Sequence, residues 1–315
     1  LKNELMGILP LWKPRGMTSF QAVRQASKIL GTKKAGHTGT LDPDVNGVLP
    51  VCVGRATKIV QYLTEAGKMY TGEVTIGWST ETEDSSGQLV SKDYPAENIP
   101  EEDVDAVLTK LHGEQTQIPP MYSAVKVKGR RLYEYARAGE EVERPARLVT
   151  IHELKRVSPV TQNEDGAVRF SFKCSCSKGT YIRTLAVTIG EELGFPAHMS
   201  NLTRNASGSF TEADCVTFEE MEQQEVNDIS QLLIPVERAF EKIPSIVVNE
   251  TDRIRILQGG ILPLSDDVKN TDDAFFSVLD EKLRLIALYK KDPKRSGMMR
   301  PEKMIRTVLD FEKDE

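Results

Sequence analysis

The sequence predicts an α/β chain of the α+β type: a large domain over residues 6–244 that mixes helices and strands, then a small β-rich module over 245–315. Three observations predict it. Helix and strand signals alternate through the first 215 residues, an acidic stretch from about 212 to 244 interrupts them, and the last seventy residues read as short strands separated by turns. The 315 residues suffice for one large and one small domain, and 39% hydrophobic with 28% charged residues is the ordinary balance of a globular protein.

Leu1 to Leu5 precede the first methionine, Met6, and are expected to be a tag remnant or a frayed arm. An apolar run follows from Ile8 to Trp12. Thr18 and Gln21 have the spacing of a capping box, so a helix follows; Phe20, Val23 and Ile29 or Leu30 share its inner face, and Gly31 ends it. Asn46-Gly47 signals a tight turn before the apolar strand Val48 to Val53, and Ala56 to Leu63 reads as a short helix. Residues 69–77 alternate with period two, which puts Tyr70, Gly72, Val74 and Ile76 on one face. The acidic stretch 78–103 is polar and turn-rich and reads as a surface excursion, overlapping an acidic insertion near 81–115, with a helix from Val104 to Leu111 on its far side.

Residues 118–139 read as loop, strand, basic turn and helix, and two strands follow near 147–158 and 167–176. Within 178–194, Ile182, Leu185, Ala186, Ile189 and Leu193 keep helical spacing, and Gly194 stops the helix. An acidic helical linker spans 212–244. Strands are then expected at Ile246 to Val248, Phe275 to Leu279, Leu283 to Tyr289 and Ile305 to Phe311, with Asp280-Glu281 at a hairpin.

Composition narrows the function classes. No apolar run approaches the ~20 residues of a membrane span, and no secretory signal is visible at the start. Cys52, Cys174, Cys176 and Cys215 form neither a CxxC pair nor a disulfide framework, and Cys174 and Cys176 alternate in a strand as small core residues. The four histidines stand far apart, so no metal site is expected, and a reduced, cytoplasmic setting is the natural reading. The net charge of −6 argues against a nucleic-acid binder until its distribution is examined. Residues 1–80 carry 10 Lys and Arg against 5 Asp and Glu, and 116–211 carry 14 against 9; the excess acid lies in 81–115 and 212–245. Two basic blocks can build a basic face.

The stretch AGHTGTLDP (35–43) ends in Asp42, which Pro43 biases toward an extended backbone, while Gly36 and Gly39 permit tight turns and a close ligand. Asp-Pro alone is an ordinary turn dipeptide. A phosphate-cradling loop does not fit, because the G-x-x-x-x-G-K spacing is absent. Arg183 falls in the first turn of its helix, where a cation gains nothing from the helix dipole. It is either an exposed arginine or a partner that keeps a carboxylate such as Asp42 ionised. Tyr70 and Tyr181 are either core aromatics or surfaces on which a base can stack.

With these residues in view, the chain resembles the TruB family of bacterial tRNA pseudouridine-55 synthases. KPRGMTS (13–19), GHTGTLDPDVNGVLPVCVGRATK (36–58), GKMYTGEVTIG (67–77), QIPPMYSAVKVKGRRLYEYARAG (117–139), CSKGTYIRTLAVTIGEELG (176–194) and HMSNLTR (198–204) carry the resemblance, in family order. It implies a pseudouridine-synthase fold with a central mixed, largely antiparallel sheet flanked by helices, and a C-terminal PUA-like RNA-binding domain. Asp42 would be the nucleophile and Arg183 its salt-bridge partner. Tyr70 would stack on the target base and join in proton removal. Tyr181 and Leu202 would line the pocket, His37 would hold the rearranged RNA loop, and Lys13 and Pro14 would brace the active-site loop. The implied substrate is a uridine of the tRNA T loop, flipped out of its stack, with the acceptor end on the C-terminal module. No cofactor, metal, membrane or protein partner is implied, and the chain would act as a monomer. The competing readings are a synthase for another RNA and an RNA-binding or tRNA-folding factor without chemistry.

Overall fold

The computed structural model describes residues 5–223 and 229–311, so the arm 1–4 and the middle of the expected linker, 224–228, lie outside the described residues. Leu5 packs against the core, so it is not part of a frayed arm.

The architecture is governed by one large sheet. Its spine consists of β1 (Gly7–Lys13), β2 (Asn46–Val53), β3 (Lys68–Ile76), β4 (Gly113–Gln117), β5 (Arg147–Arg156), β6 (Val168–Cys176) and β7 (Ala197–Ser207), in the spatial order β1-β2-β7-β3-β6-β5-β4. Three short strands at 35–37, 161–162 and 210–211 bring the total to ten among the described residues. The spine neighbours are antiparallel except β2 and β7, which run parallel with Thr203 opposite Asn46 and Arg204 opposite Gly47. The sheet is therefore mixed and largely antiparallel, as expected. The parallel splice needs a glycine: Gly47 has φ +125°, and a Cβ there would sit 2.2 Å from the Arg204 carbonyl oxygen.

Period-two burial holds along β3 and β6, with Tyr70, Gly72, Val74 and Ile76 of β3 inside, as the alternation predicted. Cys174 and Cys176 are buried among them. Helix α1 (Ser19–Ile29) starts at the predicted capping box, with the Thr18 hydroxyl accepting from the Gln21 N–H at 3.1 Å. Its inner face is Ser19, Ala22, Val23 and Ala26, whereas Phe20 is 66% exposed with the Arg24 guanidinium over its ring. The sequence reading put Phe20 inside; the small residues at 19, 22 and 26 let the helix lie close to the sheet and turn the ring outward. Helix α2 (Ile182–Leu193) ends at Gly194 in the left-handed conformation, as predicted.

The segment 212–244 is not a free helical linker. Its described residues form short helical turns that lie along β1: Ile8 and Ile234 exchange backbone hydrogen bonds of 2.8 Å, and Val216 bonds Pro10 and Trp12 at 2.9 Å. These pairings close the edge that β1 would otherwise expose. Beyond it, β8 (Ser245–Val247), β9 (Leu262–Pro263), β10 (Phe276–Leu279), β11 (Leu285–Lys291) and β12 (Met298–Met304) form a five-stranded sheet in the order β8-β10-β11-β12-β9. The expected strand 305–311 is absent: β12 ends at Met304, and Val308–Asp310 is a 3-10 turn. A helix at Glu250–Leu257 was not foreseen. An apolar cluster of Ile8, Val48, Phe240, Leu285, Leu288 and Ile305 joins this module to the back of the large sheet.

Candidate active site

Asp42 is presented by a loop tied down on three sides. Ala35–His37 pairs with β2 at the sheet margin. The Ser19 hydroxyl, at the start of α1, accepts from the Leu41 N–H at 2.8 Å and donates to the Leu41 carbonyl at 3.0 Å. Between them Gly39 adopts φ +147°, a conformation that favours glycine. The third tie is Lys13, which is 0% exposed and donates from Nζ to the carbonyls of Pro14, Met17 and Pro43 at 2.8, 2.7 and 3.1 Å. Burial pulls this amine down to about 8, against the pull of the Asp42 and Asp44 carboxylates. Lys13 thus ties the 13–17 turn to the Asp-Pro loop, and Pro14 contributes one of the carbonyls it holds.

Arg183, on the first turn of α2 and 4% exposed, meets the carboxylate: its Nε lies 3.0 Å from Asp42 Oδ2. Its other nitrogens donate to the carbonyls of Thr82 and Tyr122, both at 2.8 Å, and Asp84 lies 3.9 Å away. The acidic insertion, to which the sequence assigned no role, therefore supplies two of the groups around Arg183. Burial pushes the Asp42 carboxyl above its ordinary value; Arg183 and Lys13 oppose this, and Asp84 and Asp44 add to it. The guanidinium offsets the desolvation only in part.

Asp42 and Arg183 border a cavity of about 690 Å³ that Tyr70, Tyr181 and Leu202 also line. Tyr70 and Leu202 come from adjacent strands, β3 and β7, with Leu202 opposite Gly72. Tyr181 is fixed through its backbone, its N–H donating to Gln117 Oε1 at 2.9 Å and its carbonyl accepting from Gln117 Nε2 at 3.3 Å. Burial raises the Tyr70 phenol above its usual range, and Arg204 opposes the rise. His37 does not line this cavity. It is half-buried on the 35–37 strand, its Nδ1 accepts from the Gly39 N–H at 3.3 Å, and burial and the Arg204 charge lower its pKa.

Sequence reasoning missed Lys68 and Arg204, which line the same cavity. A signal for both existed: each is two residues from a named pocket residue, Tyr70 or Leu202, and side chains two apart on a strand share a face. A second cavity of about 640 Å³ adjoins the first at Asp42, Val45, Arg183 and Leu202. Arg15, Tyr122, Tyr133 and Arg137 line it, and the Tyr133 ring has the Arg131 and Arg137 guanidiniums at 5.8 and 5.3 Å. A carboxylate against an arginine, beside aromatic and cationic walls, can act on the sugar or base of a nucleotide taken out of its stack.

Comparison with known proteins agrees in kind. Residues 27–182 match the model of the TruB family pseudouridylate synthase N-terminal domain, and residues 183–241 match that of the tRNA pseudouridylate synthase B C-terminal domain. The chain is 51% identical over 302 residues to the tRNA pseudouridine synthase B of Bacillus velezensis, spanning 95% of this chain and 97% of that protein. The tRNA pseudouridine synthase B of Halalkalibacterium halodurans is 52% identical over 303 residues, spanning 96% and 98%. Among solved structures, a chain of a Cbf5-Nop10-Gar1 complex superposes with a TM-score of 0.71 at 28% identity, covering 96% of this chain and 86% of that one. A chain of an H/ACA RNP bound to a substrate RNA containing 2'-deoxyuridine gives 0.69 at 25% identity, with the same coverage.

Proposed function

The chain belongs to the TruB family of pseudouridylate synthases, and from that premise we propose that it converts a uridine of tRNA, position 55 in the T loop, into pseudouridine with Asp42 as the nucleophile. The observation that carries this reading is the 3.0 Å contact between Asp42 and a buried Arg183 at the wall of a cavity that Tyr70, Tyr181 and Leu202 also line.

The reaction is an isomerisation. The N1–C1′ bond breaks, the base turns in place, C5 bonds to C1′, the C5 proton leaves and N1 takes up a proton. Nothing is oxidised or transferred, so the enzyme needs no cofactor. The uridine is first extruded, at a cost of a few kcal/mol in lost stacking and pairing. Tyr70 returns ~1–3 kcal/mol by stacking on the flipped base, and Tyr181 and Leu202 enclose it without gripping it. His37 occupies the space the base vacates. Asp42 then acts as a carboxylate on C1′ or on C6; both routes require it ionised, and Arg183 supplies the opposing charge that makes this attainable in a buried cleft. Lys13 and Pro14 keep the loop in place while the RNA rearranges. The T arm lies across the cleft, its phosphates meeting the basic 126–137 segment, and the PUA-like module takes the acceptor end. The enzyme acts in the cytoplasm as a monomer.

The test is direct. A T-arm stem-loop carrying tritium at uridine C5 should release it to solvent with the wild-type protein. Asp42→Ala and Asp42→Asn should lower that rate by roughly 10⁴-fold or more while binding the RNA with unchanged Kd. Near-normal release from either variant removes Asp42 from the chemistry.

A further inference from the structure

The cavity beside Asp42 is far more cationic than an uncharged uracil requires. Five cations line it, Lys68, Arg147, Lys178, Arg183 and Arg204, against one carboxylate, Asp42. Three have evident roles. Arg183 pairs with Asp42, Lys178 pairs with Glu65 at the rim, and Arg147 is exposed, where a phosphate can reach it.

Lys68 and Arg204 differ. They are 8% and 1% exposed, and among the described residues neither makes an ion pair. Arg204 donates from Nε to the Val48 carbonyl at 2.8 Å and from a terminal nitrogen to the Gly39 carbonyl at 3.1 Å. Lys68 donates to the carbonyls of Thr64 and Ala66 at 2.6 and 2.5 Å. The two converge: a Cβ on Gly39 would lie 3.6 Å from an Arg204 terminal nitrogen and 3.7 Å from Lys68 Cε. Arg204 also stands opposite Tyr70 across the β7–β3 pairing. Two like charges buried side by side without a counter-ion destabilise a fold. A fold tolerates that where an anion arrives to complete it.

We propose that Lys68 and Arg204 form a cationic floor that stabilises the detached uracil as an anion between cleavage of its N1–C1′ bond and formation of the C5–C1′ bond. This rests on the isomerisation proposed above. When N1–C1′ breaks, its electron pair stays with the base, and the negative charge spreads over N1 and the two carbonyl oxygens, O2 and O4. C5 then uses a ring electron pair to bond C1′, the C5 proton leaves, and N1 is protonated. The floor acts only while the charge exists, so it lowers the barrier without tightening RNA binding. The Lys68 amine is brought down to about 8 by burial and by Arg204 on β7, with Lys178 adding to the fall and Cys176 on β6 and Glu65 opposing it; it is cationic at neutral pH. Arg204 opposes both the protonation of His37 and the burial-driven rise of the Tyr70 phenol, so its charge reaches Tyr70 on the cavity wall as well as His37 outside it.

The experiment compares single-turnover rates at saturating enzyme on two T-arm stem-loops, one with uridine and one with 2-thiouridine at the target. Thiouracil is the more acidic base and needs less help as an anion. Wild-type conversion of the uridine RNA is the control for the parent reading; its absence would strike that reading rather than this one. Arg204→Gln should slow the uridine reaction roughly a hundredfold at unchanged Kd. The ratio of wild-type to variant rates should shrink by roughly tenfold on the thio substrate. Lys68→Met, which keeps the stem length, serves if Arg204→Gln does not fold, and Lys68→Arg should restore most of the rate. Equal ratios on the two bases, a defect that appears wholly in Kd, or a wild-type rate in both variants would overturn the proposal.

Discussion

In the C-terminal module, the buried charge of Asp280 is answered within its own turn. Its Oδ1 accepts from the N–H groups of Lys282 and Arg284 at 3.0 and 2.7 Å, and its Oδ2 accepts from Arg284 Nε at 2.8 Å. In the cleft of the large sheet, by contrast, Arg183 and Arg204 are buried on backbone carbonyls drawn from distant segments and Lys68 on those of Thr64 and Ala66 just before it, and the carboxylates that pair with them, Asp42 and Asp84, both lie at Arg183. The first arrangement shapes a hairpin. The second leaves positive charge facing a cavity. Buried charge answered by a counter-charge serves the fold, and buried charge left open toward a cleft is available to an incoming anion.

The largest effect is expected at Arg183. Replacing it by Gln should cost roughly 10²–10³ in single-turnover rate. It should also move the acid limb. In the proposed reaction Asp42 acts ionised, and its pKa is already raised by burial. Losing the main opposing charge raises it further, so activity fails at a higher pH as acid is added. A pH profile with the limb unmoved would detach Arg183 from Asp42.

Lys13→Met tests the brace. It leaves three carbonyls without their donor, and unfolding in urea should show a loss of about 2–4 kcal/mol. A stability equal to wild type would mean that the loop holds itself.

The control in the other region is Asp280→Ala. It should cost about 1–2 kcal/mol in the same measurement, because two backbone donors lose their acceptor, yet leave the rate on a T-arm stem-loop at the wild-type value. A slowed reaction would show that the module reaches the chemistry.

The smallest effect sharpens the contrast from the other side. An acid whose folded pKa lies above its unfolded value withdraws stability once pH rises above the unfolded value. The Asp42 side chain is still 39% exposed, so solvent screens much of that penalty, and Asp42→Asn should melt no more than about 1 °C higher than wild type at pH 7, with the difference fading as pH falls below the ordinary carboxylate range. A lower melting point at pH 7 would mean that Arg183 more than offsets the burial of the carboxylate.

Much of this molecule was legible in one dimension. The capping box at Thr18 and Gln21, the alternation of β3 and β6, and the glycine stop of α2 are local and survive in the fold. So did the pocket membership of Tyr70, Tyr181 and Leu202 with Asp42 and Arg183, because the motifs carrying the resemblance include them. The misreadings share a cause. Phe20 looked like a core residue because periodicity does not say which side of a helix the sheet will meet. Residues 305–311 looked like a strand because apolar spacing does not say whether a partner edge remains to pair with. The stretch 212–244 looked like a linker because its role, covering β1, exists only once β1 has an edge to cover.

Residue types and their spacing could be read along the chain: an Asp-Pro turn after two glycines, an arginine at a helix start, and apolar periods that choose helix or strand. That Asp42 and Arg183 meet, that Thr82 and Asp84 of an acidic insertion join them, and that Lys68 and Arg204 are buried together beneath Gly39 emerges in the folded molecule. The reason is physical. Hydrogen bonds of helix and strand are set by near neighbours along the chain, whereas desolvation and Coulomb interaction act between whatever groups the parallel β2–β7 splice brings into contact.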